Sequence, residues 1–91
     1  MENTSFQIER LSGSIEELGL DRRAYNTLKR AEIHVVSDIL VRGEKVILNL
    51  RNMGTATANN IFSLVAGYLN VPLENLFDEN IYQAALSCQG K

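Results

Sequence analysis

The sequence predicts an all-α fold: a compact bundle of about four to six short helices around one small core. Three observations lead there. Apolar residues recur at helical spacing, most clearly in Ala58, Ile61, Phe62, Val65, Tyr68 and Leu69. Capping residues and glycines punctuate the sequence at intervals suited to short elements, with Ser14, Asp21 and Ser37 as starts and Gly19 and Gly43 as stops. No alternating run of five residues marks a strand. With 91 residues, 45% of them hydrophobic and only one proline, the chain has globular composition and room for a single domain.

Taken in order, residues 1–13 show no period and end in Ser12-Gly13, which reads as a flexible leader. Ser14-Ile-Glu-Glu17 has capping-box spacing and starts a short helix that Gly19 stops. Asp21 caps a helix over residues 22–31. Its Ala24, Tyr25, Leu28 and Ala31 share an arc of about 120°. Arg22, Arg23, Asn26, Thr27, Lys29 and Arg30 fill the other side, where four of six are cationic and none is acidic. A merely solvated face would interleave signs to gain i,i+4 pairs. This one calls for an external anion or an acidic neighbour.

Ile33, Val35 and Val36 read as extended backbone entering the core, and Ser37 as the cap of a short helix over 38–42. Glu44 opens another short turn carrying Val46, Ile47 and Leu48. Then come Leu50-Arg-Asn-Met-Gly54 and a long helix capped near Thr55. Pro72 follows, and Asp78 caps a last helix over 79–86 whose apolar side packs on the bundle. Residues 14–70 make the domain, and 71–91 a C-terminal helical extension with a frayed end.

Composition narrows the function. One cysteine and one histidine cannot supply the four ligands of a structural zinc site, and Cys88 alone closes no internal disulfide. No metal or cofactor is expected. The most apolar stretch, 61–69, falls short of the roughly twenty residues of a membrane span. The N-terminus lacks the positive start and apolar run of a secretion signal. These features together predict a cytoplasmic protein with no membrane partner. The only histidine, His34, has no nucleophile or orienting acid set beside it in sequence, and no enzyme is expected.

The net charge of −2 conceals a division. Residues 21–70 hold seven cations against four anions, giving +3, while 1–20 carry −3 and 71–91 carry −2. Field strength at a surface follows such local charge. The basic centre contains the turn at Gly54, where a hydrophobic-x-x-hydrophobic-Gly string precedes a helix with a small residue, Ala58, in its second turn. This is the helix-hairpin-helix pattern. The glycine is expected to permit a tight turn, and the next helix to present unpaired N–H groups to phosphate. Main-chain donors read position on a duplex and not base identity.

Residues 14–62 resemble the C-terminal domain of the bacterial RNA polymerase alpha subunit. The resemblance rests on Ile15-x-x-Leu18-x-Leu20, Arg23-x-x-Asn26-x-Leu28-Lys29, Ile33-His34-x-Val36-x-Asp38, Asn52-x-Gly54 and Ile61. It implies a helical bundle that binds A/T-rich DNA and docks transcription regulators. It places the minor-groove arginine on Arg23, neighbouring polar contacts on Asn26, Thr27 and Lys29, and backbone contacts on Gly54 and Thr57. The family's lysines after the glycine are replaced here by Thr55 and Ala56, and a family glutamate by Asn60. With about three phosphates neutralised, the logarithmic salt slope is near −3, the mark of a weak, salt-sensitive DNA binder. Arg22, Arg30 and Arg51 compensate in proportion to their orientation. The alternative is a module of the same fold that no longer binds DNA and docks a polymerase subunit or regulator.

Overall fold

The computed structural model describes residues 6–89. Five α-helices follow one another: α1 (Arg22–Arg30), α2 (Val36–Arg42), α3 (Glu44–Leu48), α4 (Thr55–Leu69) and α5 (Glu79–Gln89). Three 3-10 turns, Ile8–Ser12, Ile15–Leu18 and Leu73–Asn75, join them, and no strand longer than an isolated bridge occurs among the described residues. The all-α class is therefore correct. The Cα radius of gyration, 12.3 Å, is the size of a single closed unit of this length, about 12 Å.

The core is built around α4. Ala58, Ile61, Phe62, Val65, Ala66 and Leu69 are buried on it. Ala66 takes a place expected for Tyr68, which is only half-buried because its hydroxyl donates to Glu17 Oε1 at 3.0 Å. Leu28, Ile33, Val36, Ile39, Leu40 and Ile47, from α1, α2, α3 and the segment before α2, belong to the same buried cluster. Phe77 meets Phe62 edge-on, ring centroids 5.1 Å apart at 85°. Of the extended segment expected at Ile33–Val36, residues 33–35 precede α2 with Val35 extended, while Val36 already opens the helix. Val35 bridges Ser14, with Ile15 N donating to His34 O and Val36 N to Gly13 O.

Several boundaries differ from expectation. Of the expected leader, residues 1–5 lie outside the described residues, but 8–12 form a 3-10 turn that seats Leu11 in the core with no exposure. Gln7 N donates to Leu69 O, and the Arg10 guanidinium donates to Tyr68 O, so this segment is docked on the end of α4. Ser14 caps its turn through Glu16 N, while Glu17 turns away to Tyr68 and leaves the reciprocal half of the box unmade. At α2 the capping group is Asp38 in place of Ser37. Its carboxylate reaches back to the N–H groups of His34 and Val35, and Ser37 is buried.

The last helix runs three residues beyond its expected end. Gln89 holds it by donating to Ser37 Oγ at 3.1 Å and to Asp38 Oδ1. Helix α5 thus packs chiefly along α2, with Ile81 and Ala85 buried. Residues 87–89 of the expected frayed end are helical, and residues 90 and 91 lie outside the described residues. Pro72 sits just before the Leu73–Asn75 turn as its N-cap. No described helix is long and apolar enough to cross a membrane.

Candidate nucleic-acid interface

Helix α1 starts where Asp21 Oδ1 accepts from Ala24 N at 2.8 Å, which satisfies an orphan donor and fixes the azimuth of the helix. Its buried residues are Ala24, Thr27 and Leu28. The polar contact expected of Thr27 is not offered outward. Its hydroxyl donates to Arg23 O at 2.9 Å and the residue is 6% exposed, so it forms floor and not a projecting group. Bonding to the carbonyl one turn back lets a threonine be buried at little cost.

With that arc inside, Arg23, Asn26 and Arg30 form the outward line, none of them buried. Lys29 departs from it. At 100° per residue it lies about 120° from Arg23, and its Nζ sits 5.6 Å from the centroid of Tyr25. The Tyr25 hydroxyl donates to Glu16 Oε2, and that carboxylate, with some desolvation, holds the phenol above its ordinary value. The expected cationic face is therefore split into an Arg23–Arg30 line and a Lys29–Tyr25 flank beside Glu16.

The turn between α3 and α4 bends at Asn52 and not at Gly54. Asn52 takes the left-handed conformation (φ 68°), which asparagine tolerates better than most residues, and Met53 N closes on Leu50 O at 3.0 Å. Gly54 is extended (φ −82°, ψ 158°) and precedes α4 as its N-cap. A methyl group added there would meet nothing within 4 Å. The first intrahelical bond is Ala58 N to Gly54 O, which leaves the N–H groups of Thr55, Ala56 and Thr57 without an acceptor among the described residues. Thr57 is half-buried and Gly54 exposed.

Helix α1 and this turn face each other. A hollow of about 290 Å³ is lined by Arg23, Asn26, Thr27, Arg30 and Asn52. A second, of about 550 Å³, is lined by Thr27, Arg30, Ala31, Leu50, Arg51 and Asn52. Thr27, Arg30 and Asn52 belong to both, so the two are one trough, and no carboxylate lines either part. None of its arginines forms an ion pair with an acid among the described residues. Of the six residues expected to bind, Arg23, Asn26 and Thr27 line the trough. Gly54 and Thr57 stand beyond Asn52 on the turn and α4, outside its walls, and Lys29 lies on the other flank. Arg30, Arg51 and Asn52 are wall residues that the six omit. The signal for Arg30 is its seven-residue separation from Arg23, two helical turns.

The sequence profile of the C-terminal domain of the bacterial RNA polymerase alpha subunit matches residues 2–66. The chain belongs to that family. Its members are transcription-related DNA-binding domains without a catalytic centre. The chain is 41% identical over 59 residues to the DNA-directed RNA polymerase subunit alpha of Mesostigma viride, covering 65% of this chain and 19% of that one. It is 39% identical over 62 residues to that of Trieres chinensis (68% and 20%), and 42% over 59 residues to that of Synechococcus sp. strain JA-3-3Ab (65% and 18%). The chain thus spans about a fifth of the length of these relatives. No solved structure matches it. The profile ends within α4, and α5 lies outside the matched span.

Proposed function

We propose that the chain is a DNA-binding accessory domain acting in transcription, which inserts Arg23 into the minor groove of A/T-rich DNA and seats adjacent phosphate at the turn before α4. The observation that carries this reading is the carboxylate-free trough between Arg23–Asn26 on α1 and Asn52 on the turn, holding cations with no acidic partner among the described residues. A narrow A/T minor groove concentrates negative potential and attracts an inserted guanidinium. The open N–H groups at the start of α4, aided by the helix dipole, suit a phosphate oxygen, and the unencumbered Gly54 lets a backbone approach them. Such contacts position the duplex without reading its bases. The domain then works beside the polymerase in the cytoplasm.

Titration of labelled A/T-rich and G/C-rich duplexes at low salt, with Arg23→Ala alongside, tests this. The expected result is an A/T preference that the substitution abolishes.

A second reading has an observation of its own. On another face, Phe62, Phe77 and the half-exposed Leu73 form a hollow of about 290 Å³ rimmed by Glu44 and Glu74. This suits an apolar side chain flanked by basic residues and favours a module that docks a polymerase subunit or regulator. Equal, feeble binding of both duplexes by both proteins leaves this reading standing.

A further inference from the structure

We propose that Arg30 on α1 and Arg51 on the turn before α4, which line the same hollow of the trough, form a second phosphate seat that extends the DNA contact beyond Arg23. The inference rests on the DNA-binding reading above and deepens it by naming the cations that supply its electrostatic term.

The first turn of α4 carries Thr55, Ala56 and Thr57 and no cation, so charge neutralisation at the hairpin must come from elsewhere. The larger part of the trough supplies it. Arg30 enters from the last turn of α1 and Arg51 from the turn before α4, and Thr27, Ala31, Leu50 and Asn52 complete the lining. Two exposed guanidinium-bearing side chains line one hollow, and no carboxylate lines it to neutralise them. An anion in the hollow would gain from both charges, and planar guanidinium groups suit phosphate oxygens well.

The placement also selects a polyanion over a small one. Arg23 and Arg30 are seven residues apart on one helix, about 10 Å along its axis and roughly 20° apart around it. That distance spans about three phosphate steps of a strand, each about 3.4 Å along the duplex axis. Because Thr27, Arg30 and Asn52 line both parts of the trough, one strand can run from Arg23 to Arg51 without leaving it. Arg22, on the same helix, lines neither part.

The test is the salt dependence of binding to a labelled A/T-rich duplex between about 50 and 200 mM monovalent salt. Three engaged arginines give a logarithmic slope of about −2.7, or roughly fortyfold weaker binding across that range. The Arg30→Ala/Arg51→Ala variant should show a slope of about −0.9, or a loss of only about three- to fourfold. Arg30→Lys/Arg51→Lys should keep the original slope, and Arg22→Ala should leave it in place. The single variants Arg30→Gln and Arg51→Gln should each lower it by about 0.9, so the outcome does not hang on the double variant folding. A slope unchanged by the alanine and glutamine variants, while Arg23→Ala still abolishes binding, overturns the second seat and leaves the DNA reading intact. No binding by the unsubstituted protein at the lowest salt overturns both.

Discussion

Substituting Gly54 by alanine separates the folding of this domain from its action on DNA. Gly54 has an extended backbone, and a Cβ there has open space around it, so alanine introduces no clash. Two small terms then oppose each other. Alanine is a poorer N-cap than glycine by an amount on the order of 0.5–1 kcal/mol. Restricting the unfolded state returns about 0.4–1 kcal/mol. The net change is within about 0.5 kcal/mol, which moves the melting temperature of a domain this size by no more than roughly 4 °C. Binding responds differently. The methyl group, with no protein atom within 4 Å, fills open space at the N-cap of α4, which a phosphate approaching the N–H groups of Thr55, Ala56 and Thr57 would have to cross. A hydrogen bond to a charged group contributes about 1.5–3 kcal/mol, so affinity for an A/T-rich duplex falls by about ten- to a hundredfold. Thermal denaturation by circular dichroism and fluorescence anisotropy on the same samples give the two readouts. Unchanged affinity, or a melting temperature that falls in step with it, refutes the reasoning.

Three further outcomes follow from the packing. Gly13→Ala drives a Cβ into the Tyr68 hydroxyl and to 3.2 Å from Arg10 O, at a cost of about 1–3 kcal/mol; adding Tyr68→Phe restores part of it, and strictly additive losses in chemical denaturation count against the contact. Asp21→Ala removes the bond to Ala24 N and should destabilise the domain by about 1 kcal/mol in the same assay. At Asp38, burial pushes the carboxyl up, but the N–H groups of His34 and Val35, the Gln89 amide and the Arg42 charge outweigh it and hold it below the ordinary 3.8. A depressed carboxylate stabilises the fold fully above its unfolded value and loses that contribution as pH falls through its folded value. The stability gap between the protein and Asp38→Asn, followed by urea denaturation, should therefore hold steady above about pH 5 and close below 3.8; a gap independent of pH speaks against the carboxylate's charge.

What the sequence made legible was whatever a local rule governs. The Asp21 cap, the apolar face of α4 and the stops at Gly19 and Gly43 each depend on neighbours within a turn or two, and each appears where its rule puts it. The Ile8–Ser12 turn escaped because five residues with a single buried side chain, Leu11, show no period. The length of α5 escaped because Gln89 is held by Ser37 and Asp38, about fifty residues earlier in the sequence. At the interface, a helical wheel places Thr27 and Lys29 with the arginines. It cannot show that one hydroxyl is satisfied by Arg23 O and sinks into the core, or that the ammonium group turns to the Tyr25 ring. Arg51 and Asn52 join Arg30 only through the meeting of two separate segments, which no spacing along the sequence encodes.

The exposed Cys88 near the end of α5 is the only thiol of the protein, and it lines no part of the trough. A maleimide dye or spin label placed there reaches one defined position and spares every wall residue. The domain thus carries its own attachment point for following encounter with a duplex in real time, with no engineered cysteine required.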